Sequence, residues 1–374
     1  MTAPSADSLV VNLGSATLKA ARFASSAAAN PGQLVKRIEI PLKDRREKPD
    51  ELVASVAHEL GFERCPTLVG HRIVHGGDAT AARVLDAREV ERLHALASLA
   101  PLHQPPALAL VAGVATLWAD ALQYGVFDTT WHAGLPANAR RLPVPRDWDA
   151  LGVRRYGFHG LAFASAMRKL RTIAPVGARG RVVLAHLGGG ASLCAVLDGR
   201  SIDTTMAMTP LEGLPMATRS GSLDPGALLF LLRNGHTVDS LERTLYRECG
   251  LRGLSGLSGD VRVLLASDAP AARFALDVFA LRIAQGIAAM AVHLGGMDDL
   301  AFSGGIGANA AEVRESVVRY LGWLGLVLDD DANRTHEIRL SPATAHVRIW
   351  RIVVDEEQEI AAECVNASAV TPSR

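Results

Sequence analysis

The sequence contains few cysteines and no excess of charge of either sign. Its four cysteines, Cys65, Cys194, Cys249 and Cys364, are far apart and show no paired spacing. This argues against a disulfide framework or a zinc knuckle and favours a reducing, cytoplasmic location. Lys plus Arg and Asp plus Glu each total 39, so the formal net charge is zero. We therefore expect no nucleic-acid partner and no anionic membrane surface, and affinity for anions must come from local sites.

The sequence also lacks the usual targeting and membrane-spanning segments. Residues 1–8 show no basic region followed by an apolar stretch, so no signal peptide is predicted. The longest apolar stretch, residues 274–296, is interrupted by charged and polar side chains, which is typical of a buried helix rather than a membrane span. The motif G-x-x-x-x-G-K-[ST] is absent, which excludes a P-loop.

The chain is long enough for two domains, with 374 residues of which 49% are hydrophobic. The proline-rich residues 142–146 are the best boundary between them. We expect one lobe over residues 1–145 and another over 146–355, with a last helix over 356–374 folding back onto the first. Apolar spacings of three and four predict helices over residues 51–60, 87–97, 106–119, 158–174, 224–233, 239–249, 271–294, 308–322 and 355–365.

Two strand–glycine turn–strand segments resemble each other across the chain. Residues 8–13, 14–17 and 18–23 form the first, and residues 181–187, 188–190 and 191–197 form the second, with a further strand through Thr204. Residues 12–14 align with 186–188, and residues 16–18 with 191–193 after one inserted residue. The repeat suggests duplication of one α/β unit. The alternative is chance, since short matches between glycine turns are common.

A third glycine-rich segment, residues 304–309, follows a predicted strand over residues 299–303 and opens a helix. Exposed N–H groups and the positive end of a helix dipole suit a nucleotide phosphate. Its G-x-G-x-x-A spacing, with Asp329 after another predicted strand, also imitates a dinucleotide-binding fingerprint. An NAD-dependent oxidoreductase is therefore an open alternative at this point.

Titratable side chains are concentrated among glycine, proline and aromatic residues, where a scaffold usually carries function. The histidines in such places are His71, His75, His103, His132, His159 and His186. A structural role is the alternative for the first three, and a surface ion pair or helix cap is the alternative for Arg72, Arg219, Asp128 and Glu356. Phosphoryl transfer needs glycine turns, cations and metal-holding carboxylates. All three occur here, in separate places.

Taken together, eleven short motifs resemble the acetate kinase family, of the acetate and sugar kinase, Hsp70 and actin superfamily. They lie, in the family's order, at residues 12–19, 71–77, 101–103, 127–129, 155–160, 186–188, 203–206, 209–213, 218–221, 305–307 and 355–357. The resemblance implies an α/β fold of two duplicated ribonuclease H-like, actin-like ATPase domains with a cleft between them. Residues 146–355 would be the nucleotide-binding lobe, and residues 305–307 would bind ATP rather than NAD.

The implied reaction is reversible transfer of the ATP γ-phosphoryl group to the carboxylate of acetate or propionate, giving an acyl phosphate and ADP. The implied cofactor is Mg²⁺, with Mn²⁺ as a substitute, and the implied assembly is a cytoplasmic homodimer. The family's catalytic residues correspond to Asp128, Arg72, Arg219 and His159. Its acyl-binding residues correspond to Arg72, Val74, Leu102, Phe158 and Pro210.

The resemblance also implies metal contacts at Asn12 and Glu356 and supporting roles at His103 and His186. The implied nucleotide contacts are Ser15, Thr17, Lys19, His186, Gly188, Gly189, Gly190, Asp260, Val261, Arg262, Gly305, Ile306, Gly307 and Asn309.

Six positions depart from the family's usual residues. They are Gly189 for Asn, Ala308 for an acid, Phe163 for His, Gln104 for Asn, Ser222 for Asp and Val261 for an aromatic. Because these changes cluster around phosphate and nucleotide contacts, a nucleotide-binding relative with impaired catalysis is the alternative. The retained arginines, Asp128, His159 and Glu356 favour a working enzyme.

Overall fold

The structure is a computed structural model that describes residues 5–14, 17–24, 32–42, 48–175 and 180–370. The strands are β1 (Ser5–Leu13), β2 (Thr17–Phe23), β3 (Leu34–Pro41), β4 (Pro66–Ile73), β5 (Arg83–Val84), β6 (Leu122–Phe127), β7 (Arg181–Leu187), β8 (Ala191–Leu197), β9 (Arg200–Thr204), β10 (Asp299–Ser303) and β11 (Arg348–Arg351).

Each of the nine predicted helices has a counterpart in the described part of the chain, and several further short helices were not predicted. The helices are α1 (Pro49–Leu60), α2 (Ala87–Ala95), α3 (Gln104–Leu117), α4 (Ala137–Arg140), α5 (Arg146–Ala150), α6 (Gly160–Ile173), α7 (Pro225–Arg233), α8 (Val238–Arg247), α9 (Gly250–Ser255), α10 (Val261–Leu265), α11 (Pro270–Leu294), α12 (Gly304–Asn309), α13 (Ala311–Tyr320), α14 (Asp330–Arg334) and α15 (Glu356–Val370).

The chain forms two compact units. The first takes in residues 1–133, 158–165 and 355–374, and the second takes in residues 134–157 and 166–354. The first boundary therefore lies ahead of residue 145, and residues 158–165 join the first unit. They do so because the Phe158 ring packs edge-on against His75 at 5.4 Å, and the Gly160 N–H donates to the Asp128 carbonyl at 2.9 Å.

The first unit is built on one sheet whose order is β3-β2-β1-β4-β6-β5 within the described residues. β4 is parallel to both β1 and β6, while β2 is antiparallel to β1 and to β3. Successive side chains of β1 point to opposite faces. Leu9 and Val11 pack on the face that α1 and α3 cover, and Val10 packs with Ile360 and Cys364 of α15 on the other face. The central strand is thus buried on both sides.

Two of the carboxylates on α15, those of Glu359 and Glu363, lie one turn apart. Burial raises the pKa of Glu363 to about 7 from an ordinary 4.5, and the nearby charge of Glu359 adds to the rise. A carboxyl group with a raised folded-state pKa stabilises the fold below the unfolded value and loses that contribution as pH rises through the folded value. The window here runs from pH 4.5 to about 7.

We expect Glu363→Gln to stabilise the protein above that window by about 1–2 kcal/mol, after discounting for partial solvent exposure. The gain should disappear at pH 4, where the wild-type side chain is protonated in both states. Urea unfolding at pH 8 and pH 4 measures the difference. The exposed Glu51 on α1 provides the control, Glu51→Gln, and an equal effect of Glu363→Gln at both pH values would contradict the prediction.

The second unit has a sheet with the order β11-β10-β7-β8-β9 in the described residues. β10 lies parallel to β7 and β11, and β7, β8 and β9 form an antiparallel meander. α11 packs against β7, β8 and β9. Among the described residues it is the one helix long and apolar enough to cross a membrane, a test that core helices of soluble proteins also pass.

The two sheets share one connectivity, which confirms the predicted duplication of an α/β unit. Counting along each unit, the order is third, second, first and fourth strand, followed by a later strand that is parallel to the fourth. The predicted alignment of the hairpins is wrong after the turn. Leu13 pairs with Leu18 and Leu187 pairs with Ala191, so four sequence positions separate the paired residues of the first hairpin and three separate those of the second. Leu18 therefore corresponds to Ala191.

Three local expectations need correction. The predicted helix over residues 308–322 is divided into α12 and α13 because Ala310 is extended, with φ −106° and ψ 93°. The described chain has no strand between β10 and Asp329; Asp329 is the N-cap of α14 and accepts from the Ala332 N–H. The dinucleotide fingerprint thus lacks its second element. β3 was not predicted at all.

Candidate active site

The polar residues of the first unit meet at one edge of its sheet. Asn12 lies near the end of β1, Arg72 near the end of β4, and Asp128 directly after β6. These three strands are neighbours and run in parallel. Because the carboxyl ends of parallel strands share an edge, a ligand site is expected there.

Arg72 and Asp128 form a two-bond ion pair. The Arg72 Nη2 atom lies 2.8 Å from Asp128 Oδ2 and Nε lies 3.1 Å from Oδ1. The Asp128 side chain is 2% exposed and that of Arg72 is 12% exposed. A planar guanidinium suits a carboxylate in this side-on geometry better than an ammonium group would.

The same guanidinium reaches Asn12 and Glu356. Arg72 Nη1 donates to Asn12 Oδ1 at 3.2 Å and lies 3.5 Å from Glu356 Oε2. The Asn12 amide donates to Glu356 Oε2 at 3.0 Å and to Glu357 Oε1 at 2.6 Å. The structure therefore brings together Asn12, Arg72, Asp128 and Glu356, and adds Glu357.

Burial and charge act against each other in this cluster. Burial raises the pKa of the Asp128 carboxyl; Arg72 opposes the rise and Glu356 adds to it. Burial also acts to lower the pKa of Arg72, but the charges of Asp128 and Glu356 outweigh it, and the pKa ends above its ordinary value. Arg72 thus stays charged, and it is the main group that stabilises the ionised form of Asp128.

His159 lies beside the ion pair through its main chain. Its backbone N–H donates to the Asp128 carboxylate, and its φ is 59°, in the left-handed region. His132 Nε2 donates to the Phe158 carbonyl at 3.1 Å, which fixes the preceding peptide. Backbone strain of this kind persists only where the surroundings hold it. His159 is therefore set in a defined position next to Asp128.

Two other histidines serve the scaffold. His71 Nε2 lies 2.8 Å from Gln123 Oε1, and burial lowers the pKa of His71 to about 4. His75 Nδ1 accepts from the Gly77 N–H at 3.0 Å. The Gln104 side chain accepts from the His75 N–H at 3.1 Å and donates to the His75 carbonyl at 3.0 Å. The departure to Gln at this position thus supports the His75 backbone.

The proposed acyl-binding residues divide between the units. Val74 and Phe158 are buried in the first unit, where Leu102 and His103 precede α3 and are partly exposed. Pro210 is buried in the second unit, and its carbonyl accepts from Arg219 Nη1 at 2.8 Å. Arg219 is 7% exposed. The second unit therefore brings Pro210 and Arg219 together.

The glycine turns of the second unit lie side by side. His186 of β7 pairs with Ser303 of β10, so the turns that follow these strands are adjacent. Gly304 has φ 77°, and a Cβ there would lie 2.4 Å from the Leu187 carbonyl. In contrast, a Cβ on Gly189 or Gly305 would meet no atom within 4 Å. The two turns thus offer open backbone toward a ligand.

The other implied nucleotide contacts lie in varied surroundings. Asn309 donates to the Gly305 carbonyl at 2.9 Å, within α12. Asp260 caps α10, and a hydrogen bond from the exposed Arg262 lowers the pKa of Asp260. Val261 is buried. Gly188 and Gly190 lie in the turn after β7, Ile306 and Gly307 lie in α12, Thr17 and Lys19 lie on β2, and Ser15 is outside the described residues.

Two arginines that the motifs did not identify hold α12. Arg314 is fully buried and donates to the Gly307 carbonyl at 3.0 Å. Arg351 donates to the Ala308 carbonyl at 2.7 Å. They support the last carbonyls of the helix, where cations are favourable. The signal available in the sequence was a charged residue on the apolar face of a predicted helix, which indicates a buried partner.

The donor set of the first unit fits a hard cation. No group of three or more His, Cys, Asp or Glu side chains that could hold a metal is found in the part of the chain that is described. Mg²⁺ in phosphoryl-transfer sites usually has one or two protein carboxylates, with phosphates and waters as its other ligands. The oxygens of Asn12 and Glu356 suit that arrangement.

Known proteins that are similar to this chain in sequence and in structure include acetate and propionate kinases. The Acetokinase family model matches residues 62–362. Acetate kinase of Methylocella silvestris is 44% identical over 294 residues, which are 78% of this chain and 73% of that protein. Acetate kinase of Nitrobacter hamburgensis is 38% identical over 383 residues, 94% of each chain. A propionate kinase structure from Francisella tularensis has a TM-score of 0.87 at 30% identity, covering 96% of this chain and 99% of that one.

The resemblance drawn from the eleven motifs and the expected α/β fold of duplicated units are thereby confirmed, and the oxidoreductase alternative is wrong. The match extends over most of the described chain and includes both units. By its sequence motifs, its fold and its relatives, the chain belongs to the acetokinase family.

Proposed function

We propose that this chain transfers the γ-phosphoryl group of ATP to the carboxylate of acetate or propionate, reversibly, giving an acyl phosphate and ADP. Family membership supports a phosphotransferase with a carboxyl acceptor. The observation that carries the residue assignments is the Arg72–Asp128 pair with Asn12 and Glu356 at its side. An impaired relative is the weaker candidate, because these residues are retained and brought together.

Phosphoryl transfer to a carboxylate requires little covalent participation by the protein. A carboxylate is already ionised at neutral pH, so no strong base is needed. We assign Arg72 and Arg219 to binding the carboxylate and the migrating phosphoryl group, Asp128 to orienting them, and His159 to donating to the equatorial oxygens. His103 and His186 support the site.

Asn12 and Glu356 would hold the divalent cation, Mg²⁺ or Mn²⁺. When bound, this ion would neutralise charge on the β- and γ-phosphate oxygens. We assign the nucleotide phosphates to the open turns at Gly189 and Gly305 in the second unit. Val74, Leu102, Phe158 and Pro210 would bind the acyl chain. One methylene is worth only about 1–3 kcal/mol in an apolar pocket, so acetate and propionate should both react.

Trapping of the acyl phosphate as its hydroxamate tests the proposal. The purified protein is incubated with ATP, Mg²⁺, hydroxylamine and either acid, and hydroxamate is measured against a blank without protein. Formation of hydroxamate supports the assignment. Tight ATP binding by calorimetry, with no hydroxamate from any short acid, would favour the impaired relative instead.

We also propose that the chain works in the cytoplasm as a homodimer, without nucleic-acid or membrane partners. α7 supports the dimer because it is apolar on all sides and has no buried residue within this single chain. Leu229 and Phe230 are 52% and 63% exposed. An apolar helix of this kind is usually covered by a partner.

We expect the double variant Leu229→Asp, Phe230→Asp to be monomeric, because two charges would be buried in the contact. Light scattering after size exclusion should give twice the chain mass for the wild type and a single chain mass for the variant. Leu151→Asp, at an apolar residue that is 80% exposed on α5's C-terminal side, is the control and should leave the mass unchanged. A dimeric double variant would exclude α7 from the contact.

A further inference from the structure

A second layer of charged residues lies behind Asn12. Glu357 is 4% exposed, and its Oε1 accepts from the Asn12 amide at 2.6 Å. Its other oxygen, Oε2, lies 3.4 Å from Nε of Arg37 on β3. Arg37 Nη2 also lies 2.5 Å from Asp355 Oδ1. Neither Glu357 nor Arg37 has a role in the reaction as proposed above.

The Asn12 side chain has two chemically different ends. Its nitrogen is only a donor and its oxygen only an acceptor. Here the nitrogen faces Glu356 and Glu357, and the oxygen accepts from Arg72. A flipped amide would place its oxygen against two carboxylates and its nitrogen against a guanidinium. The neighbours therefore select one orientation.

Glu357 is the neighbour that can keep this orientation during the reaction. Glu356 is assigned to the cation, and its Oε2, which accepts from the Asn12 amide, also faces Arg72. Glu357 is buried, and its contact with the amide is the shorter of the two, 2.6 Å against 3.0 Å. It remains an acceptor for the Asn12 nitrogen when Glu356 turns to the ion.

Arg37 fixes Glu357 from the far side. Its guanidinium contacts Asp355 and Glu357, which flank Glu356 in the chain. It thus joins β3 to the first turn of α15. A fork that contacts two carboxylates holds both more firmly than a single flexible ammonium would. This contact connects Arg37 to Glu357 and, through Glu357, to the Asn12 amide.

We propose that Glu357, held by Arg37, is a positioning residue that orients the Asn12 amide oxygen toward the cation and Arg72. The inference rests on the cation-binding role proposed for Asn12 and Glu356. Partners of this kind, which orient a metal-binding residue without touching the metal, are commonly needed for full metal affinity.

Mn²⁺ binding in the presence of ADP tests the inference, measured from the free Mn²⁺ signal in electron paramagnetic resonance. We expect Glu357→Ala to weaken Mn²⁺ binding about 10-fold or more, and Arg37→Gln to weaken it by several-fold. Glu357→Gln keeps an oxygen for the Asn12 amide and should lie closer to the wild type than Glu357→Ala. kcat should fall in the same order, while KM for the carboxylate changes little.

Arg22→Gln is the matched control. Arg22 lies on β2 of the same sheet, and its Nε pairs with Asp7 Oδ2 at 2.6 Å, on the side of the hairpin away from Asn12. This variant should lose thermal stability and keep the Mn²⁺ affinity of the wild type. An equal loss of Mn²⁺ affinity in Arg22→Gln and Arg37→Gln would show that the weaker binding results from general destabilisation, and would contradict the inference.

Wild-type Mn²⁺ affinity in Glu357→Ala overturns the inference and leaves the proposed kinase activity intact. If Glu357→Ala does not fold, Arg37→Gln and Glu357→Gln still test the inference. Wild-type Mn²⁺ affinity in Arg37→Gln would refute the role of Arg37 in holding Glu357. The proposed function has a separate readout, because it fails only if the wild type itself gives no hydroxamate.

Discussion

Arg72→Ala is expected to lower kcat/KM for the carboxylate by about 10³-fold, the effect of losing one strong oxyanion donor or more. The reason is that Arg72 joins Asp128 to Asn12 and Glu356, which contact each other directly. In the roles proposed above, its loss removes a donor to the substrate and at the same time releases Asp128, the proposed orienting carboxylate. Hydroxamate formation under saturating ATP measures the fall.

The same change should destabilise the first unit. Asp128 is buried, and removing the one partner that forms two bonds with it leaves an uncompensated charge, at a cost of about 3–5 kcal/mol. Urea unfolding at pH 7 measures this. In the double variant Arg72→Ala, Asp128→Asn the charge is gone, so stability should partly recover while activity stays low. Recovery of activity with stability would show that Arg72 serves only the fold.

Arg72→Lys separates charge from geometry. A lysine keeps the positive charge near Asp128 but cannot make two parallel bonds to a carboxylate. We expect stability near that of the wild type with most of the activity lost. Wild-type kcat in Arg72→Lys would contradict the role given to the planar guanidinium of Arg72.

The duplicated core could be predicted from the sequence because local signals agree with the tertiary structure there. β1 and β7 are short apolar runs that end at glycine turns, and this length and these flanking residues favour buried strands. β3 gave a weaker signal, because it is an edge strand in which only Ile38 and Ile40 alternate with exposed residues and Val35 is 54% exposed. Two alternating apolar residues are too short a pattern to predict a strand.

The division into units could not be predicted from composition. The proline-rich residues 142–146 look like a linker, but the chain returns to the first unit at residues 158–165. That return depends on contacts of Phe158 with His75 and of Gly160 with Asp128. Packing between residues distant along the chain has no local signature.

The candidate site likewise contains some residues that the sequence identifies and others that only the fold reveals. Arg72, Asp128 and His159 stand in short motifs with glycine and aromatic neighbours, so the sequence alone identifies them as candidates. Glu357 adjoins Glu356, and nothing in the chain distinguishes the two acids. Arg37 lies 320 positions ahead of Glu357 on a strand that was not predicted, and only the fold brings the two within 3.4 Å.

Gly160→Ala is expected to reduce kcat by about 10²-fold although the residue bears no side chain, since small displacements of catalytic groups cost that much. A Cβ at this position would lie 2.2 Å from the Asp128 carbonyl oxygen and 2.7 Å from Trp131 Cβ. The Asp128 oxygen already accepts from the Gly160 N–H at 2.9 Å. Relief of the clash must therefore move Asp128 or the neighbouring His159.

The effect should be specific to the reacting groups. The open glycine turns assigned to the nucleotide lie in the second unit, so KM for ATP should change little while kcat falls, and stability should drop by about 1–3 kcal/mol through overpacking. Gly322→Ala is the control, because a Cβ there meets no atom within 4 Å. A loss of stability by that amount with wild-type kcat in Gly160→Ala would show that the junction of β6 and α6 serves packing alone. That result would contradict a catalytic requirement for the position of His159 beside Asp128.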